Sequence, residues 1–89
     1  MKAWRVHRYG APRDVLQLDD VPLPEPGAAE VRVRVAAIAL NYNDLDGIYG
    51  RYVTVRPPLP FVPGMEVLGR VEAAGAGAEA WLGKRVCAV

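Results

Sequence analysis

The residues with the most chemical potential in this chain fall in two short segments, Leu40-Asn41-Tyr42-Asn43-Asp44 and Pro63-Gly64-Met65-Glu66. Asn41 follows an unbroken apolar run, Ala36 to Leu40. A polar amide delivered by a buried strand end needs a hydrogen-bonding partner, in the protein or on a ligand. Asp44 suits a helix cap or a place beside a site better than acid catalysis. Glu66 reads first as a hydrogen-bonded structural carboxylate and second as a group supporting a site, and Met65 reads as packing. His7 alternates with Trp4 and Val6 onto the polar side of a strand, which makes it a solvated histidine. Cys87 is the single cysteine, so the chain forms no internal disulfide and no zinc knot. It reads as a small buried hydrophobe. Gly75-Ala76-Gly77 follows a strand but lacks the third glycine and the helix of a phosphate-binding loop.

The elements that must carry these residues are mostly strands. Residues 3–9 alternate Trp4 and Val6 against Arg5 and His7, a strand pattern. Gly10-Ala11-Pro12 is a turn, and residues 15–21 form a second short strand. Pro22, Pro24, Pro26 and Gly27 make an extended connector. Residues 30–40 are the clearest strand, with Val31, Val33 and Val35 facing in and Arg32 and Arg34 facing water. From Ala36 to Leu40 the alternation stops, which predicts burial on both faces. Asn41 or Asn43 can cap a helix that Gly47 and Gly50 limit to about two turns. Pro57, Pro58, Pro60 and Pro63 stiffen the following loop, which carries Phe61. Residues 65–74 form another strand, in which Gly69 marks a bulge or close packing. Residues 75–79 are a turn, and residues 85–89 begin a last strand. The sum is about six strands with one small helix and no βαβ alternation, so the chain is no Rossmann half. The fold class is mainly β (α+β), a small partly open β-barrel.

Composition narrows the function classes. A chain of 89 residues is one domain at most, and 52% hydrophobic content supplies a small core. The net charge is +1, with no basic cluster longer than two residues, which argues against a nucleic-acid partner. Charges in Lys2, Arg5 and Arg8 interrupt the apolar run that a signal peptide needs. Uncharged stretches such as residues 35–43 are far shorter than the ~18–20 residues of a membrane helix. The expectation is a cytoplasmic protein without a membrane partner.

Taken in order, these pieces resemble the GroES-like N-terminal domain of the medium-chain dehydrogenase/reductase superfamily, and within it the zinc-independent NADPH:quinone oxidoreductases. The likeness runs through Met1-Lys2-Ala3-Trp4, Gly10-Ala11-Pro12, Leu16, Pro24-Glu25-Pro26-Gly27 and Glu30-Val31-Arg32-Val33. It continues in Leu40-Asn41-Tyr42-Asn43-Asp44, Gly50-Arg51-Tyr52 and Pro60-Phe61-Val62-Pro63-Gly64-Met65-Glu66. It closes with Gly69-Arg70-Val71 and Gly83-Lys84-Arg85-Val86.

The resemblance implies that residues 1–89 are the N-terminal portion of a catalytic domain, with a Rossmann NADPH-binding domain expected after residue 89. Zinc-dependent members carry a cysteine at the position of Asn41 and a histidine at that of Met65, and these two residues are poor zinc ligands. The implied parent therefore transfers hydride from NADPH to a quinone or other α,β-unsaturated carbonyl without zinc. By the same resemblance Asn41 and Tyr52 are the catalytic residues, and Asn41, Tyr42, Asp44 and Tyr52 meet the cofactor. A homodimer of the parent is compatible. An aromatic residue often stands in such reductases where this chain has Asp46, so the packing around the nicotinamide differs here.

Two alternatives accompany this reading. Enoyl reductases acting on enoyl thioesters share the scaffold and a similar Leu-Asn strand end, although the start at Met1 favours a free-standing protein. A GroES-like barrel could instead be a non-enzymatic oligomeric interaction module, with the strand at residues 85–89 offering an edge.

Overall fold

The computed structural model describes residues 1–52 and 56–89. They form two compact units. One comprises Met1–Pro22 and Leu40–Met65, the other Leu23–Ala39 and Glu66–Val89.

In the first unit, β1 (Lys2–Val6) and β2 (Leu16–Asp20) pair antiparallel, with Lys2 opposite Asp20 and Val6 opposite Leu16. The expected first strand ends early, at Val6. There the backbone turns its hydrogen bonds to Phe61, which both accepts from and donates to Val6 at 2.9 and 3.2 Å. The expected turn at Pro12 is a one-turn helix, α1 (Pro12–Val15). Proline at its start fixes a helical φ without losing a needed donor, and the Ala11 carbonyl accepts from Asp14 and Val15. Val6, Val15 and Ile48 form the buried core of this unit, with Leu16 and Phe61 packed on it. The predicted alternation in β1 holds for its polar face, since Arg5 and His7 both reach the Asp19 carboxylate, at 2.8 and 2.6 Å. His7 is exposed, as expected.

The second unit is one antiparallel sheet of order β3–β4–β5: Val31–Ala39, Glu66–Ala74 and Arg85–Ala88. Its register slips by one residue between Arg32 and Val33 and again between Val35 and Ala37. Gly69 lies opposite Val35 at the second slip, where a Cβ would run into the Arg34 carbonyl oxygen and a Val33 methyl. The bulge and the close approach read from the sequence are both present. A turn and a short 3-10 helix (Glu79–Trp81) join β4 to β5. Arg32 anchors the proline-rich connector by donating to the Pro24 carbonyl at 3.1 Å while it pairs with Glu72 at 3.0 Å.

Among the described residues there are five strands where about six were read, and neither sheet closes on itself, in keeping with a mainly β, partly open architecture. Two expectations fail here. The apolar run is not buried on both faces: Ala36–Leu40 is exposed throughout, with Leu40 77% exposed. Cys87 is exposed rather than buried. Both concern edge strands: β3 and β5 are the edges of their sheet among the described residues. Among the described residues no helix is long and apolar enough to cross a membrane.

Candidate functional site

The site is assembled around the start of α2 (Tyr42–Tyr49). Asn41 is its N-cap, in an extended conformation at φ −121° and ψ 167°. The Asp44 carboxylate accepts from the Asn41 backbone N–H at 2.8 Å, and the Asp44 N–H donates to the Asn41 carbonyl at 3.0 Å. The first bond is the return half of a capping box, made by an acid three residues into the turn, and the second is a backbone bond of the first turn. Asp44 is 7% exposed and is the one buried charged residue among the described residues. The positive end of the helix and the Asn41 N–H compensate its charge. At the other end Gly50 adopts the left-handed conformation, φ 74°, and stops the helix after the predicted two turns.

A cleft of about 260 Å³ opens beside this helix, lined by Asn43, Asp44, Gly47, Tyr52, Phe61 and Met65, among others. Gly47 keeps the helix surface flat, and a Cβ there would touch the Tyr52 ring at 3.6 Å. The Tyr52 hydroxyl donates to the Asn43 carbonyl at 3.0 Å, which ties the loop after α2 to the first turn of the helix. The phenol's single proton is thereby engaged, and the oxygen presents its lone pairs.

The structure brings together Asp44 and Tyr52, which both line the cleft. Asn41 is exposed at the helix start, and Tyr42 is 73% exposed beside it; neither is among the lining residues. Met65, read as packing, is 56% exposed at the cleft instead. Glu66 begins β4 in the second unit and is half-buried. Asp46 turns to Arg51, whose guanidinium reaches it at 3.1 Å and lies 4.2 Å over the Tyr49 ring. The sequence reading missed Asn43 and Phe61 as walls of the cleft. The proline-rich loop carrying Phe61 was the available signal for one; the backbone carbonyl used by Asn43 has no residue-type signature.

The donor set bears on what could bind. Among the described residues no three His, Cys, Asp or Glu side chains gather to hold a metal ion. A cleft of about 260 Å³ is below the roughly 300–1,000 Å³ of a whole ligand pocket, so it suits a ring rather than a dinucleotide. The Gly75-Ala76-Gly77 turn offers no phosphate cradle, because the Gly77 N–H is taken by the Glu79 carboxylate at 3.0 Å. The cleft has room for a planar ring, and none of its lining residues is a cation that would attract a phosphate. Away from the cleft, the His7 ring first and the Arg5 guanidinium second hold the Asp19 carboxyl below its ordinary value of 3.8.

Comparison with known proteins agrees with this architecture. Residues 27–89 match the alcohol dehydrogenase GroES-like domain family. An alcohol dehydrogenase from Moraxella sp. (strain TAE123) is 38% identical over 77 residues, which is 86% of this chain and 22% of that protein. The mitochondrial enoyl-[acyl-carrier-protein] reductase of Caenorhabditis elegans is 44% identical over 71 residues, 79% of this chain and 20% of that one. The crystal structure of Escherichia coli quinone oxidoreductase complexed with NADPH superimposes with a TM-score of 0.87 at 31% identity, over 98% of this chain and 26% of that chain. This chain thus spans between 20% and 26% of the length of these proteins. On sequence and fold together, it belongs to the alcohol dehydrogenase GroES-like domain family of the medium-chain dehydrogenase/reductase superfamily.

Proposed function

We propose that this chain is the substrate-side domain of a zinc-independent oxidoreductase that transfers hydride from NADPH to a quinone or other α,β-unsaturated carbonyl. The observation that carries the proposal is a ring-sized cleft beside the helix start that Asn41 caps; the resemblance puts a metal ligand of zinc-dependent relatives at the position of Asn41. Asn41 and Met65 offer an amide and a thioether, donor types that catalytic zinc sites do not use. NADPH, when bound, supplies the hydride, and the residues for its phosphates and adenine belong to a nucleotide-binding domain outside residues 1–89.

The chain's own residues do the rest. The Asn41 carboxamide donates a hydrogen bond to the carbonyl oxygen that gains negative charge. A positioned donor of this kind is worth about 2.7–4 kcal/mol in acyl transfer and less here, because charge in a quinone is delocalised. Tyr52, with its proton committed to Asn43, accepts from an amide N–H such as that of a carboxamide. Tyr42 would meet the cofactor from the exposed helix start, outside the cleft, while Phe61 and Met65 form the apolar wall of the cleft. A cytoplasmic location accompanies this reading.

A second reading keeps the scaffold and changes the acceptor to an enoyl thioester. It is favoured by the 44% identity to an enoyl-[acyl-carrier-protein] reductase. The test is NADPH oxidation by the full-length protein with a quinone, a simple enone and an enoyl thioester, each with and without a chelator. Turnover of the quinone or enone that survives chelation is the expected result. Loss of turnover that added zinc restores would overturn the metal-free mechanism, and exclusive use of the thioester would select the second reading.

A further inference from the structure

We infer that Asp44 is the positioning residue for Asn41, and that the first turn of α2 is the common frame holding both proposed reacting side chains. The inference rests on the oxidoreductase reading above. Asp44 is buried, and among the described residues its carboxylate makes one hydrogen bond, to the Asn41 N–H at 2.8 Å. Its own N–H returns to the Asn41 carbonyl at 3.0 Å. These two bonds close a ring across residues 41–44 and fix the backbone from which the Asn41 side chain leaves. On the same turn, the Asn43 carbonyl holds the Tyr52 hydroxyl. Asn41 and Tyr52 are eleven positions apart in sequence, and each is bonded to a residue of one helical turn.

An exposed acid would cap this helix as well as a buried one. A carboxylate taken out of water costs free energy unless its hydrogen bonds return it. Its placement beneath the cleft, rather than on the outer face of the helix, is what a latch on Asn41 requires. Without it, the helix keeps its packing through Ile48 and its stop at Gly50, but the Asn41 backbone is free to rotate. Small misplacement of a reacting group is enough to cost about a hundredfold in rate.

The experiment uses the full-length protein and the variants Asp44→Ala, Asp44→Asn, Asn41→Ala and Asn41→Ala/Asp44→Ala. Asp44→Asn retains an oxygen that can accept from the Asn41 N–H and removes the charge. Asp44→Ala is expected to lower kcat by up to about a hundredfold, with NADPH affinity little changed, and Asp44→Asn to recover most of that loss. On the Asn41→Ala background, Asp44→Ala should lower kcat no further, because a latch has nothing left to position. Amide hydrogen exchange supplies a readout independent of turnover: the Asn41 N–H should be protected in the wild type and in Asp44→Asn, and unprotected in Asp44→Ala. The inference is overturned if Asp44→Ala leaves kcat unchanged, if its effect multiplies with that of Asn41→Ala, or if Asn41 exchange is the same in both. If the wild type transfers no hydride at all, the oxidoreductase reading falls. The exchange measurement then still decides whether Asp44 holds Asn41.

Discussion

Gly50→Ala is the most direct test of how the cleft is framed. Gly50 ends α2 at φ 74°, and a Cβ at this position would lie 2.7 Å from Tyr9 Cγ and 2.9 Å from its Cδ1. Two penalties follow. A left-handed conformation costs a non-glycine residue about 1–2 kcal/mol. Forcing a methyl group into a filled space costs about 1–3 kcal/mol more, because the Tyr9 ring is held by its hydroxyl bond to the Pro57 carbonyl. The sum is about 2–5 kcal/mol, centred near 3.5 kcal/mol, a large share of the ~4–13 kcal/mol expected for 89 residues. Gly77 supplies the control. Its φ is 87°, and nothing lies within 4 Å of its Cβ position, so Gly77→Ala bears the conformational cost alone. Urea unfolding, followed by both far-UV circular dichroism and tryptophan fluorescence, measures the difference, with coincident transitions as the check on two-state behaviour. With a slope of about 1.5 kcal/mol per M, Gly50→Ala should lower the midpoint by about 2 M and Gly77→Ala by about half that or less. Equal losses in the two variants would refute the argument, since they would mean that Tyr9 does not fill the space at Gly50.

Other consequences can be measured on the same protein. Asp19 has its carboxyl lowered by His7 and Arg5, so the stability it contributes is present above its ordinary value of 3.8 and is lost as pH falls through the lowered one. Acid titration of the unfolding midpoint should show this loss in the wild type and not in Asp19→Asn. Arg32→Gln should cost about 1 kcal/mol by releasing the Pro24 carbonyl and Glu72, and urea midpoints at low and high salt should show part of the loss disappearing as the ion pair is screened. Tyr52→Phe removes the bond to Asn43 and should cost about 0.5–1.5 kcal/mol of stability. In steady-state kinetics it should raise KM for NADPH more than it lowers kcat; a fall confined to kcat would make Tyr52 a donor to the substrate.

The helix that carries the site was legible because both of its ends are written in residue types. An asparagine followed three residues later by an aspartate marks the start, and a glycine marks the left-handed stop. The bulge at Gly69 was legible for a similar reason, since only a residue without a Cβ can lie against the Arg34 carbonyl. The binding of Tyr52 to the Asn43 carbonyl was not, because every residue carries that oxygen and no pattern of side chains announces its use. Burial was misread for a different reason. Ala36–Leu40 and Cys87 have the composition of an interior, yet they stand on the exposed end of an open sheet. Apolar composition records that a surface gains by being covered, and it is silent on which atoms do the covering. In a chain that spans 20% to 26% of the length of its relatives, those atoms need not lie within it. Residue types therefore placed Asn41 and Asp44 at a helix start through a local rule that the chain satisfies by itself, and failed for burial, which depends on which surface meets an apolar face.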